Sequence, residues 1–249
     1  MVELHELTGR PLEHEHSPAA IQRRLEQGPR LSYLRDWIYG GIDGAVTTFA
    51  VVSGVVGANL PSSVIIILGV ANLFADGFSM AASNFTATKT EHHELERART
   101  IEERHIRIDP KGEIEEVRQI FMNKGFEGED LDAIVRGIVS NEKLWVDTML
   151  TEEYGLPLEV RTPILSAVST FAAFQICGLI PLLPFLADTG NPFALAAIFT
   201  GLTFFGIGSA KSRWSIIPWW KSGLETFVIG AVAAVLAFGV GYILQGLAG

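Results

Sequence analysis

The sequence predicts an all-α, polytopic membrane protein: five transmembrane helices plus a three-helix cytoplasmic acidic domain. Three observations predict it. The chain of 249 residues is 48% apolar and has a mean hydropathy of +0.30. Five windows, about 37–60, 62–88, 162–187, 193–210 and 222–247, are nearly free of charge. Each reaches or approaches the ~20 residues that cross a ~30 Å hydrocarbon core. Between the second and third windows, Glu91–Glu159 holds 18 Asp and Glu against nine Lys and Arg, so its net charge of −9 equals that of the whole chain. The domains read as a tail over 1–30, the first two spans over 31–90, an acidic domain over 91–159, and the last three spans over 160–249.

The tail is polar and carries His5, His14 and His16, the last two in Glu-His-Glu-His. It has no short apolar core followed by a small-residue cleavage site, so the first span is expected to be an uncleaved anchor. Residues 18–27 are expected as a short amphipathic interfacial helix, and the rest of the tail as a disordered polar terminus in preference to a metal-capture tail.

The first span starts near Trp37, which puts Asp43 ~9 Å into the membrane at ~1.5 Å of rise per residue. The second span runs back, so Asp76 comes near mid-membrane. Asn72, Asp76, Met80 and Asn84 recur every four residues and share one face of this helix, with Ser79 and Ser83 beside it. Lipid cannot satisfy a polar stripe, so that face must meet protein or water. Gly40, Gly41 and Gly44 around Asp43, and Gly77 after Asp76, are small enough to let helix backbones approach. In the third span Gly178, Pro181 and Pro184 predict a kinked outer end. The single cysteine, Cys177, excludes an internal disulfide framework and reads as a packing residue. In the fourth span Gly201, Gly206 and Gly208 predict tight packing. Glu225 lies one turn inside the fifth span. It is expected to snorkel or to pair with Lys221 at (i, i+4), rather than to admit ions.

In the acidic block the first helix continues from the second span to about Ile108. Asp109-Pro110 is a helix start, with Asp as the cap and Pro in the first turn, and that helix runs to about Asn123. A third helix is expected from Gly128 through Trp145 and Met149 to Tyr154, where Gly155 and Pro157 stop it. Three short spacings stand out: Glu102 with His105, Glu113 with Glu116, and Met149 with Glu153. Each pair projects onto one helix face, and three such faces together would make a cage of oxygen, nitrogen and sulfur donors. Glu-x-x-His is also the ligand spacing of carboxylate-bridged di-iron bundles. A solvated acidic face explains any one of these pairs better than a metal site does; only the three pairs together, with the membrane carboxylates, bring the metal reading level with it.

Orientation follows from the short loops. Residues 58–63 and 187–193 contain no Lys or Arg, whereas Arg23, Arg24, Arg30, Arg35, Lys89, Arg161, Lys211, Arg213 and Lys221 fall on one side. The N-terminus, the acidic block and the 211–221 hairpin are therefore expected in the cytoplasm, with the C-terminus outside; the single Cys and the polar tail fit a bacterial inner membrane, with an organelle membrane as the alternative. Trp37, Trp214, Trp219 and Trp220 fall at the expected interfaces.

An ionised side chain at membrane depth costs roughly 2.5–3.5 kcal/mol on insertion scales, so such residues usually mark an ion or proton pathway. Asp43 and Asp76 have no matching Lys or Arg in the spans. Carboxylate and amide oxygens bind hard divalent ions, and a thioether favours softer transition metals over Mg²⁺ or Ca²⁺. The pathway residues are thus expected to be Asp43, Asp76, Met80 and Asn84, suited to Fe²⁺ or Mn²⁺, with protons competing for the same carboxylates. Two rival classes carry the same residues: a membrane-tethered di-iron ferroxidase or peroxidase built on the Glu and His pairs, and a metal sensor that transports nothing. No Gly-rich phosphate loop is present, and nucleic acid is not an expected partner. The expected partners are divalent metal ions, protons and the lipid bilayer, with no cofactor beyond the transported metal.

At Arg35-Asp-Trp, Asp43-Gly-Ala-Val-Thr-Thr, Ser79-Met-Ala-Ala, Gly178-Leu-Ile-Pro-Leu-Leu-Pro184 and Lys221-Ser-Gly-Leu-Glu-Thr226, the chain resembles the vacuolar iron transporter family over roughly 31–249. The resemblance implies a homodimer of five-helix protomers that exchanges Fe²⁺, and often Mn²⁺, for protons, and it implies no enzymatic activity. It implies Asp43 and Met80 as ligands on the translocation path, and Glu102, Glu113, Glu116, Met149 and Glu153 as ligands in the cytoplasmic domain. Two positions depart from the family pattern. Ser83-Asn84-Phe85 stands where many members have Gly-Glu-Tyr, which leaves Asp76 to supply the charge on that helix. His105 stands where a Glu is usual, which adds a pH-sensitive ligand.

Overall fold

The structure is a computed structural model that describes residues 15–28, 31–187 and 190–245. His5 and His14 lie outside the described residues. All regular structure among the described residues is helical: α1 (Pro18–Gln27), α2 (Leu34–Gly57), α3 (Ser62–Ile108), α4 (Pro110–Asn123), α5 (Gly128–Val139), α6 (Glu142–Glu152), α7 (Pro163–Leu179), α8 (Leu183–Leu186), α9 (Pro192–Lys211) and α10 (Trp219–Leu244). Five segments are long and apolar enough to cross a membrane: α2, α3, α7 with α8, α9, and α10. The chain divides into two compact units, one formed up to Phe85 and from Ile164 onward, the other from Thr86–Pro163.

Glycine contacts govern the packing in the membrane unit. A Cβ at Gly40 would lie 2.3 Å from the Thr170 carbonyl oxygen, and one at Gly44 2.4 Å from that of Phe174, so α7 rests directly on the α2 backbone. Gly241 does the same for α10, where a Cβ would meet the Gly54 oxygen at 2.1 Å. In α9, a Cβ at Gly208 would come within 2.4 Å of the Ser222 oxygen on α10, whereas Gly206 has nothing within 4 Å. Gly206 therefore does not serve the tight packing expected of it. Phe49, Val52, Ile65, Phe174 and Leu182 form the core of the unit. The kink expected in the third span is a 3-10 turn over Ile180–Leu182, ahead of α8, because Pro181 and Pro184 cannot donate backbone hydrogen bonds. Helix α1 falls on the expected residues, capped by Ser17 and ended at Gly28 (φ +65°).

The acidic unit consists of the end of α3 with α4, α5 and α6. Asp109 caps α4 by accepting from the Gly112 N–H at 3.2 Å, with Pro110 in the first turn. The single helix expected from Gly128 to Tyr154 is instead two, α5 and α6. The physical reason is local. Asn141 turns out of the helix and its side chain accepts from the Leu144 N–H at 3.1 Å, starting α6 afresh. The break lets Leu131, Val135 and Ile138 of α5, with Trp145 and Met149 of α6, close on Val117 of α4. Ion pairs tie the helices at the surface: Arg99 with Asp147 at 2.7 Å, Arg118 with Asp132 at 2.7 Å, and Lys124 with Glu152.

Candidate metal centres

In the membrane unit, Asp43 on α2 and Asp76 on α3 are each half-buried, and Asp43 feels the negative charge of Asp76. Neither forms an ion pair among the described residues. The two helices are cross-linked next to these carboxylates. Asn72 donates to the Thr47 hydroxyl at 3.3 Å, and that hydroxyl donates to the Asp43 carbonyl at 2.9 Å. From α7, Gln175 donates to the Leu73 carbonyl at 2.7 Å. A Cβ at Gly77 would lie 2.8 Å from the Gln175 amide nitrogen, so the glycine next to Asp76 admits this cross-link.

Met80 is half-buried against the apolar cluster of Phe49, Leu73 and Phe174. Asn84 sits at a polar junction of three helices. Its amide nitrogen donates to the Asp36 carboxylate at 3.0 Å, to the Thr170 hydroxyl at 2.7 Å and to the Ser166 carbonyl at 3.3 Å. That nitrogen is committed, which leaves only the side-chain oxygen of Asn84 for an ion. Asp36 is 3% exposed and was not singled out among the sequence-derived candidates. The available signal was its place in Arg35-Asp-Trp, in the first turn of α2.

Asp43 also lines a cavity of about 910 Å³ whose walls include Arg35, Tyr39, Lys211, Trp214 and Glu225. Glu225 does not pair with Lys221, as the (i, i+4) spacing suggested. Its carboxylate lies 3.8 Å from the Lys211 ammonium on the preceding helix. The Lys221 ammonium lies 5.3 Å from the Trp220 ring centre instead. An ammonium at the end of α9 reaches across the hairpin, while Lys221 finds an aromatic face next door.

In the acidic unit, Glu102, His105 and Glu113 present ligand atoms within 4.8 Å of one another. His105 Nδ1 lies 3.8 Å from Glu102 and 3.4 Å from Glu113. Both carboxylates are buried, at 1% and 5% exposure, and each has an Oε2 that accepts no hydrogen bond. Buried carboxylate oxygens without donors are costly unless a cation or proton reaches them. Glu113 is pushed up to about 7 by its burial and by the charges of Glu102 and Glu116. Glu153 is raised for the same reasons, burial first, then Glu102 and Glu116. The charges of Glu116 and Glu153 are thus felt at the trio, though both side chains are exposed. Met149 is fully buried in the apolar cluster with Val117 and Trp145. Tyr154 is a site residue that sequence reasoning missed. Its hydroxyl donates to Glu102 at 2.8 Å, and burial and that carboxylate hold the phenol above its ordinary range. Its position right after Glu153 was the only hint.

The family model described as VIT family matches residues 34–242. A vacuolar iron transporter of Toxoplasma gondii is 32% identical over 86% of this chain and 74% of its own length. Vacuolar iron transporter 2 of Oryza sativa subsp. japonica is 32% identical over 86% of this chain and 88% of its own. Vacuolar iron transporter 1 of Arabidopsis thaliana is 31% identical over 85% and 86%.

Proposed function

The chain belongs to the VIT family, a family of membrane transporters and not of enzymes, and from that premise we propose that it is a proton-coupled antiporter moving Fe²⁺, and secondarily Mn²⁺, out of the cytosol. The observation that carries this reading is the pair of half-buried membrane carboxylates, Asp43 on α2 and Asp76 on α3, on two helices cross-linked beside them by Asn72 and Thr47. Two like charges in a low dielectric favour either a proton on one of them or a divalent cation between them. The same site thus alternates between H⁺ and metal, which is the minimal chemistry of exchange. The thioether of Met80, one turn from Asp76, adds a donor that prefers transition metals to Mg²⁺, and the side-chain oxygen of Asn84, two turns from Asp76, is a further donor along the path rather than part of the same site.

Glu102, His105 and Glu113, with Glu116, Glu153 and Met149 around them, form a collecting site on the cytosolic side. Its support is the pair of buried oxygens lacking donors. The orientation rests on the Lys and Arg that flank one set of helix ends. A homodimer is part of the proposal, on the family resemblance, and light scattering in detergent should give twice the 27.1 kDa chain mass.

The test is flux in proteoliposomes under an imposed pH gradient, with Fe²⁺, Mn²⁺, Co²⁺ and Zn²⁺. Wild-type protein should move Fe²⁺ and Mn²⁺ with counterflow of protons. Asp43→Ala should abolish flux while keeping the oligomer, and flux from that variant equal to wild type would refute the site. Ferric-oxo absorbance after O₂ is added to anaerobically loaded protein would favour the di-iron enzyme instead.

A further inference from the structure

From the cavity beside Asp43 we infer that Glu225 is a metal-recruiting residue, and that Lys211 is a tethered placeholder cation which an arriving divalent ion displaces. The inference rests on the transport reading and extends it from the pathway carboxylates to the vestibule before them. The cavity is bounded by the start of α2, the end of α9 and the start of α10, so it opens on one end of the bundle. Among the described residues its ionisable walls are Asp43, Glu225, Arg35 and Lys211, besides the phenol of Tyr39. The two carboxylates and two cations of these walls balance in formal charge.

The balance is arranged unevenly. Lys211 is held by Glu225 at 3.8 Å, while Asp43 forms no ion pair among the described residues. Lys211 and Glu225 are 38% and 57% exposed, and a four-carbon stem lets the ammonium swing out to the membrane surface. A doubly charged ion approaching Asp43 repels Lys211 and attracts Glu225. The carboxylate exchanges a monovalent tethered partner for a divalent free one, and the ion gains a second oxygen ligand before it reaches the paired aspartates.

A merely structural ion pair would be broken alike by either of two substitutions, whereas the inferred roles give them opposite signs. With Mn²⁺ as the probe in proteoliposomes, Glu225→Gln should raise KM about fivefold at unchanged maximal rate, the scale of one partly exposed ion pair. Lys211→Met should lower KM. Changes in the same direction, or none in either variant, overturn the inference.

A second measurement does not need net flux and so separates this inference from the transport reading. Ser215 lines the cavity and is exposed, while the native thiol of Cys177 is buried. In the full chain carrying Ser215→Cys, Mn²⁺ should slow maleimide labelling. Half-protection should need more Mn²⁺ with Glu225→Gln and less with Lys211→Met. Protection with those shifts but no flux in wild type would sink the transport reading and keep the vestibule. Flux without protection would do the reverse.

Discussion

At the scale of single residues, the acidic trio carries the clearest consequences. Glu113 holds its proton up to about pH 7 in the folded state, while an unfolded Glu loses it near 4.3. The folded form therefore binds the proton more tightly. The stability this contributes is fully present below the unfolded value and is lost as pH rises through about 7. Raised Glu153 pulls in the same direction. Thermal melts of the metal-free protein should thus show stability falling from pH 5 to pH 8. Glu113→Gln should flatten that slope and weaken Fe²⁺ binding by roughly tenfold or more, as loss of a supporting carboxylate does in metal sites; calorimetry reads both. Met149 tests the thioether separately from packing. Met149→Leu keeps volume and should cost less than about 1.5 kcal/mol, whereas Met149→Ala should cost about 2–5 kcal/mol at a fully buried site. If sulfur is a ligand, the Leu variant loses Fe²⁺ affinity but not Mg²⁺ affinity.

At the scale of helices, contact is set by where side chains are missing. The Gly40 and Gly44 surface of α2 accepts the α7 backbone with no room for a methyl group. Gly44→Leu should force the helices apart and cost at least the 1–3 kcal/mol typical of overpacking, read as a lowered melting temperature in detergent. Gly206→Ala faces open space and should leave melting unchanged or slightly raised, since Ala is the better helix former. If the two variants melted alike, the close approach of α2 and α7 would be wrong. In the acidic domain, the α5–α6 break depends on the Asn141 cap. Its loss in Asn141→Ala should cost about 1 kcal/mol.

At the scale of the molecule, charge is concentrated rather than spread. The net −9 of the chain belongs to the segment Glu91–Glu159, so the metal-free acidic unit repels itself. Raising ionic strength should stabilise it, and a divalent cation that binds only the folded state should stabilise it further, by a factor that grows with concentration over Kd. A melt series in Mn²⁺ at fixed ionic strength separates the two effects. Equal stabilisation by Mn²⁺ and by Na⁺ matched for ionic strength would leave only screening and exclude a metal site in this unit.

The amino-acid order alone determined the five spans, the acidic insertion and the Asp109 cap. These depend on local periodicity, on chain-neighbour chemistry and on the length a bilayer demands, all of which are written in consecutive residues. The partners of individual polar groups were not so written. Glu225 meets Lys211 and not Lys221, Asn84 is engaged by Asp36 and Thr170, and Tyr154 reaches back 52 residues to Glu102. Such choices follow from which helices pack side by side, and a hydrogen bond or ion pair between helices has no signature in the spacing of either one.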